Sequence, residues 1–257
     1  MSEEVIRTRG LSKSFKGFTA VEDVSFSVRR GHIHALIGPN GAGKTTFFNL
    51  LTRFLEPSAG EIWFDGDDVS RRSPMVVARR GMIRSFQISA VFANLTVLEN
   101  VRLALQRKLG TSFHFWKSER SLNRLNQRAG EILDSVGLAP FINESAGGLA
   151  YGRKRALELA TTLAMDPVLM LLDEPTQGMG YEDVDRITAL IKKVSAGRTV
   201  LMVDHNMKVV SSIADRISVL QRGRLIASGD YAEVSSDPRV MQAYMGDEVE
   251  SGAGALP

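Results

Sequence analysis

Apolar and polar residues alternate in the first third of the chain, a pattern typical of half-buried strands. Residues 24–28 alternate valine or phenylalanine with serine, which gives a strand one apolar face. Residues 33–37 form a mostly apolar strand that runs directly into a glycine-rich loop. Residues 61–64 form another short strand, which ends at the turn signal Asp65-Gly66. The first third is therefore predicted to be rich in strands.

The middle third has apolar residues at three- and four-residue steps, which is the spacing of one helix face. Residues 122–136 and 156–164 carry such faces. Gly137 is well placed to end the first helix, and Asp166-Pro167 is well placed to end the second. We therefore expect two helices in this region.

The last third combines both patterns. Residues 168–172 and 199–203 are predicted as buried strands, and residues 184–194 between them as a helix. A hairpin is expected at 216–227, around Gly223. Because strand, helix and strand in sequence favour a parallel sheet covered by helices, the predicted fold class is α/β.

The composition is that of an ordinary globular protein, with 257 residues, 44% hydrophobic and 24% charged. The sequence has no cysteine, which excludes disulfides, cysteine-ligated metals and thiol nucleophiles. The N-terminus does not resemble a secretory signal, and the densest apolar stretch is far too short to cross a bilayer. We therefore expect a chain that does not span a membrane.

Positive charge is concentrated in residues 71–130, which contain twelve Lys or Arg and two acidic residues. This segment has a net charge of +10, whereas the whole chain has +3. Such a segment can meet nucleic acid, anionic lipid or an acidic partner, and it can equally be a solvated surface. Charge alone leaves these alternatives open.

The glycine-rich loop reads GPNGAGKT at 38–45 and matches the phosphate-loop pattern G-x-x-x-x-G-K-[ST]. It lies between a predicted strand and a helix expected to begin near Lys44, so its backbone N–H groups and the helix N-terminus can bind phosphate. Lys44 is expected at the β- and γ-phosphates, and the Thr45 hydroxyl on Mg²⁺. The residues predicted to bind nucleotide here are Gly38, Pro39, Asn40, Gly41, Ala42, Gly43, Lys44, Thr45 and Thr46.

A second motif, LMLLDE at 169–174, places two carboxylates at the end of a buried strand. Asp173 is predicted to hold the Mg²⁺ shell. Glu174 is predicted to be the general base that polarises the water attacking the γ-phosphate. Together with the phosphate loop, this motif predicts a bound nucleoside triphosphate and Mg²⁺.

These motifs resemble the nucleotide-binding subunit of ATP-binding-cassette (ABC) transporters over nearly the whole chain. The resemblance implies a P-loop NTPase fold of ABC type. Its parts are a RecA-like parallel sheet core, an antiparallel β subdomain and an inserted helical subdomain at about 88–165. We expect one ATPase domain at 1–245 and a flexible tail at 246–257.

Further motifs carry the resemblance in the order typical of the family. Phe15 resembles the aromatic residue that stacks on adenine. Gln87, in RSFQ, resembles the glutamine that senses Mg²⁺ and the membrane partner, which makes it a candidate metal ligand and catalytic residue. His205, in MVDHN, resembles the catalytic histidine that contacts the γ-phosphate. EPTQGMG at 174–180 resembles the loop that crosses the dimer interface.

The segment LAYGRKR at 149–155 resembles the family's signature motif, with Ala150, Tyr151 and Gly152 as candidate ATP contacts. Gly152 is predicted near the start of a helix, where unpaired N–H groups can bind an anion. In the family, that anion is the γ-phosphate of ATP held by another subunit. The chain has one phosphate loop and one signature, so a second cassette is expected.

The chain looks most like the ATPases of branched-chain amino acid importers, whose close relatives import urea or short amides. That resemblance implies two permease subunits, an identical or paralogous second cassette and, indirectly, an external solute-binding protein. It also implies a peripheral position on the cytoplasmic face of the inner membrane, with no specific nucleic acid partner. The alternatives are a soluble ABC ATPase acting on nucleic acid or ribosomes, and the cassette of an exporter.

Overall fold

The structure, a computed structural model, describes residues 3–85, 91–108 and 119–244. In chain order, its strands are β1 (Glu4–Phe15), β2 (Phe18–Arg29), β3 (Ile33–Ile37), β4 (Ala59–Phe64), β5 (Asp67–Asp68), β6 (Met82–Ser85), β7 (Leu169–Asp173), β8 (Val200–Val203), β9 (Arg216–Gln221) and β10 (Arg224–Gly229). Its helices are α1 (Lys44–Leu51), α2 (Pro74–Arg79), α3 (Val97–Lys108), α4 (Glu119–Ser135), α5 (Tyr151–Ala164), α6 (Tyr181–Val194), α7 (Met207–Ile213) and α8 (Tyr231–Ser235).

The strands of these ranges form two sheets. The first is antiparallel, with strand order β2-β1-β4-β5. The second has the order β10-β9-β3-β8-β7-β6, and its strands are parallel except for β10, which pairs antiparallel with β9. Because parallel strands point the same way, the loops that follow β3, β8, β7 and β6 all leave from one edge of the sheet.

The central strands of the parallel sheet are buried on both faces, so their side chains alternate between two cores. Leu36 packs with α1 and the antiparallel sheet in the first core, whereas Ala35 and Ile37 pack in the second core with α6 and α7. The same alternation continues along β7 and β8. Helix α1 is therefore held between the two sheets.

Helices α3, α4 and α5 pack together around a third core. Val101 of α3, Leu133 of α4 and Leu157 of α5 are all fully buried there. This helical group is inserted between β6 and β7, which are neighbours in the parallel sheet. The insertion therefore leaves the parallel sheet after its outermost strand, β6, and returns to it at the adjacent strand, β7.

The observed architecture confirms the predicted ABC-type α/β fold. Strand β1 is an element that the alternation did not predict. Its burial pattern is irregular because the register shifts against β2 between Thr8 and Leu11, where Gly10 has a φ of 57°. A bulge of this kind moves the following side chains to the other face of the strand, which hides the two-residue period. The tail at 246–257 lies outside the described residues.

In the described ranges, no helix combines the length and the apolar character that a membrane crossing requires.

Candidate nucleotide-binding site

The phosphate loop joins β3 to α1, and two of its glycines have conformations that a side chain would prevent. Gly38 has a φ of 150° and Gly43 a φ of 98°. A Cβ atom at Gly38 would lie 2.0 Å from the Leu220 carbonyl oxygen, and one at Gly43 would lie 2.3 Å from that of Ala20. The backbone can therefore wrap closely only because both positions are glycine.

Lys44 is the first residue of α1, and its amino group is held inside the loop. The Nζ atom donates to the carbonyl oxygens of Gly38, at 2.6 Å, and Pro39, at 2.8 Å. Gly43 caps α1 without a side chain, so the first-turn N–H groups are open to an anion. Thr45, in that turn, is exposed. The loop thus presents an ammonium group, the N–H groups of a helix start and a hydroxyl together.

Asp173 and Glu174 lie at the edge of the sheet where the phosphate loop begins. Asp173 ends β7, is buried and forms an ion pair with Arg84 of the adjacent β6. Glu174 has a φ of 49°, the left-handed conformation that is uncommon outside glycine. Its carboxylate contacts Nε2 of His205, and its N–H donates to the Val203 carbonyl oxygen at 2.8 Å. Two catalytic residues predicted from separate motifs are therefore in direct contact.

A further buried pair, which the sequence analysis missed, supports this arrangement. Asp204 follows β8 and accepts a hydrogen bond at 2.7 Å from the hydroxyl of Thr176, two residues after Glu174. Its other oxygen accepts from the Asn206 N–H at 2.9 Å. Asp204 therefore connects the loop after Glu174 to the end of β8. The sequence signal that could have identified Asp204 is an apolar strand leading into Asp, the same signal that identified Asp173.

The signature segment begins α5 and contacts the loop at 174–180 of the same chain. Ala150 caps the helix and has no side-chain oxygen to bond the first N–H groups, which leaves them open to an anion. The Tyr151 hydroxyl donates to the Gln177 carbonyl oxygen at 3.0 Å. Arg155 donates to that hydroxyl at 3.2 Å. The signature segment and the loop after Glu174 are thus joined within one chain.

Arg155 is held by Glu158, 2.7 Å away, in a buried ion pair. Burial lowers the pKa of Arg155, but the hydrogen bond and the charge of Glu158 outweigh it, and the pKa is raised. The guanidinium therefore stays charged and keeps Tyr151 in place.

Gly152, the residue after Tyr151, leaves little room for a side chain, because a Cβ atom there would lie 3.2 Å from the Asp183 carboxylate.

Phe15 lies at the end of β1, and its side chain is partly exposed, with Lys13 Nζ 5.1 Å from the ring centroid. The β1–β2 hairpin approaches the phosphate loop, since the Ala20 carbonyl closely faces Gly43. The hairpin also carries Phe18, which is 66% exposed against 42% for Phe15. The structure therefore offers two aromatic residues near the loop, of which the sequence analysis named one.

We predict that Phe15→Ala weakens ATP affinity by roughly 5- to 150-fold, since base–aromatic stacking contributes about 1–3 kcal/mol. Phe15→Tyr retains the ring and is expected to bind normally. Phe18→Ala is the matched control, because it removes a more exposed ring from the same hairpin. Titration with a fluorescent ATP analogue measures all three. A loss in Phe18→Ala with none in Phe15→Ala would assign the stacking to Phe18.

The structure bears differently on Gln87 and on the basic segment at 71–130. Gln87 lies in 86–90, outside the described residues, and its role stays a prediction. The basic segment is not one exposed surface: the Arg84 side chain is only 10% exposed, and Arg80, Arg84, Arg102 and Arg128 each lie in an ion pair with an acidic residue. Part of the segment's positive charge is therefore compensated.

The polar groups of the site are of the kind that a magnesium–nucleotide complex requires. Mg²⁺ prefers oxygen ligands and is commonly bound by one or two protein groups together with phosphate oxygens and water. The Thr45 hydroxyl and the Asp173 carboxylate are oxygen donors of this kind, and the N–H groups of the loop and the Lys44 ammonium are groups that can bind phosphate.

Comparison with known proteins identifies the class. The "ABC transporter" family profile matches residues 21–177, and the chain belongs to this family as an ATP-binding subunit. It is an ATPase coupled to transport. The family "Branched-chain amino acid ATP-binding cassette transporter" matches residues 224–250.

Among curated relatives, the chain is 38% identical to the high-affinity branched-chain amino acid transport ATP-binding protein BraF of Pseudomonas aeruginosa, covering 96% of this chain and 100% of that protein. It is 34% identical to LivG of Escherichia coli, with the same coverage and the same described role. It is also 32% identical to the lipopolysaccharide export ATP-binding protein LptB of Escherichia coli, covering 95% and 98%.

Solved structures agree with this assignment. An ABC transporter cassette in its ADP conformation is 30% identical, with a TM-score of 0.82 and coverage of 95% of this chain and 100% of that one. A dimeric cassette in a post-hydrolysis state with ADP and phosphate is 25% identical, with a TM-score of 0.73 and coverage of 88% and 98%.

Proposed function

We propose that this chain binds and hydrolyses MgATP to drive the import of branched-chain amino acids through a membrane permease. The carrying observation is that the phosphate loop, Asp173, Glu174 and His205 follow adjacent parallel strands and meet at one edge of the sheet. The branched-chain match at residues 224–250 and the likeness to BraF and LivG support the substrate class.

The site residues divide the chemistry among them. Lys44 and the first N–H groups of α1 would bind the β- and γ-phosphates, and Thr45 and Asp173 would hold Mg²⁺, whose charge would offset that of the phosphates. Glu174 accepts a proton from the attacking water as the water oxygen bonds to the γ-phosphorus and the bond to ADP breaks. His205, in contact with Glu174, keeps that carboxylate oriented and reaches the γ-phosphate.

The proposed assembly contains two cassettes and two permease subunits. The signature segment, with Ala150, Tyr151 and Gly152, binds the γ-phosphate of the ATP held by the second cassette. The similarity to the solved dimeric cassette and the first turn of α5, which has no side-chain cap, support this arrangement. The chain is then peripheral to the cytoplasmic face of the membrane, as one ATPase domain at 1–245 with a helical subdomain at about 88–165.

Transport in reconstituted vesicles tests the proposal. We expect the purified cassette, its permease subunits and the solute-binding protein to take up leucine, isoleucine or valine with ATP on the cassette side, and to hydrolyse ATP faster when these solutes are present. Urea and short amides test the related substrates. Movement of solute away from the cassette side would indicate an exporter, a possibility kept open by the likeness to LptB.

Nucleic acid binding is the remaining alternative and has its own measurement. Because phosphate contacts release counterions, non-specific binding to DNA or RNA falls steeply with salt. We expect any such binding by this chain to disappear near physiological salt. Tight binding that persists there would favour an ATPase acting on nucleic acid or ribosomes.

A further inference from the structure

Arg84 connects the two parts of the site that are proposed to hold Mg²⁺. It lies on β6, and its Nη2 atom forms the ion pair with Oδ2 of Asp173 on the neighbouring strand. Its Nη1 atom donates to Oδ1 of Asn49 on α1 at 2.6 Å. The side chains of Arg84 and Asp173 are only 10% and 4% exposed. The guanidinium therefore forms a buried bridge between α1 and the end of β7.

The position of Asn49 on α1 connects this bridge to Thr45. Asn49 is four residues after Thr45, so both side chains lie on the same face of the helix, one turn apart. A contact that holds Asn49 therefore also sets the turn that carries the Thr45 hydroxyl. Arg84 thus acts on both proposed metal ligands: on Asp173 directly, and on Thr45 through the helix.

The burial of this ion pair argues against a role limited to stabilising the fold. A buried ion pair often adds little stability compared with apolar residues of similar volume, because both charges lose their hydration. Arg84 also packs over Phe48, whose ring centroid lies 5.7 Å from the guanidinium carbon. The fork of an arginine is distinctive in reaching a carboxylate and an amide oxygen at once in fixed geometry.

We propose that Arg84 is a positioning residue for the metal site, which sets the distance between Thr45 and Asp173 so that both reach one Mg²⁺. This inference rests on the proposed function, since it assumes that MgATP binds at the loop. The bond from Arg84 occupies one carboxylate oxygen of Asp173 and leaves the other for the metal or its water. Asn49 is part of this arrangement, because it holds Arg84 to α1.

Three variants separate positioning from charge. Arg84→Lys keeps the positive charge but cannot reproduce the fork. Asn49→Ala changes no charge and breaks only the contact to α1. Arg84→Gln removes the charge as well. The matched control is Arg80→Gln, which removes an arginine from a partly exposed ion pair with Asp67, away from the site.

The measurement is the affinity of the ADP-bound chain for Mn²⁺, a spectroscopic substitute for Mg²⁺, followed by electron paramagnetic resonance. Residues that orient metal ligands typically change metal affinity by roughly 10- to 100-fold. We expect a loss in this range for Arg84→Lys and for Asn49→Ala, and none for Arg80→Gln. Nucleotide affinity in excess EDTA is expected to stay within about twofold of wild type, because the phosphate contacts do not involve Arg84.

Each outcome decides the proposal. Equal Mn²⁺ affinity in wild type, Arg84→Lys and Asn49→Ala overturns it, and tighter Mn²⁺ binding in Arg84→Gln shows that Arg84 competes with the metal instead. If Arg84→Lys fails to fold, as judged by thermal unfolding, Asn49→Ala carries the test. If the wild type itself binds no Mn²⁺ with ADP, the proposed function fails, which is a different result from a failure of positioning.

Discussion

Replacing Glu174 by glutamine is expected to slow ATP hydrolysis by roughly 10²–10⁴-fold while leaving ATP binding intact, because the loss is that of a general base. The amide has nearly the same shape as the carboxylate and can still contact His205, but it cannot accept a proton from water. ATP should then persist in the site and hold two cassettes together. Phosphate release by the assembled transporter and the dimer fraction in ATP measure the two effects.

A matched control for this variant is Glu182→Gln, in which the same substitution is made on the first turn of α6 at a side chain that is 91% exposed. We expect its turnover to equal that of wild type. Near-normal turnover in Glu174→Gln would show that another group accepts the proton. Loss of ATP binding in that variant would show instead that Glu174 supports the fold of the site.

Lys44→Ala has the second large expected effect, a loss of ATP affinity of roughly 100-fold, since a hydrogen bond to a charged group contributes about 1.5–3 kcal/mol. The sequence analysis treats Lys44 as a phosphate ligand. The structure adds that its amino group already bonds the carbonyl oxygens of Gly38 and Pro39. The variant therefore loses a phosphate ligand and two contacts that shape the loop.

We expect Lys44→Ala to remain folded, because the apolar core around α1 is formed by other side chains, such as Phe47 and Leu51. Nucleotide binding followed by fluorescence, together with thermal unfolding, separates the two effects. Lys208→Ala removes an exposed lysine and serves as the control. A variant that unfolds at room temperature, or one that binds ATP normally, would refute the assigned role.

Much of the site could be found from the sequence because its parts are contiguous runs. GPNGAGKT needs only local backbone geometry, in which Gly38 and Gly43 adopt conformations closed to other residues. The apolar runs before Asp173 and after residue 199 marked buried strands by composition alone. Those strands are β7 and β8, and both are buried along their whole length.

Other contacts could not be predicted, because they join residues that only the strand order brings together. Arg84 and Asp173 are 89 positions apart, and they meet because β6 and β7 are neighbours although α3, α4 and α5 lie between them in the chain. Thr176 and Asp204 are 28 positions apart and meet for the same reason, across β7 and β8. Charge counting placed Arg84 in a basic segment with surface roles as its open alternatives, whereas in the fold its side chain is only 10% exposed.

The sequence by itself therefore determined the class of the protein and the chemistry of its motifs. These depend on short-range effects: glycine conformations, the N–H groups of a helix start, and side-chain periods of two or about 3.6 residues. Only the tertiary structure decided which motif side chains touch one another, such as Glu174 with His205 and Arg84 with Asp173. Those contacts depend on the order of strands in a parallel sheet, which is set by packing between distant segments rather than by local sequence.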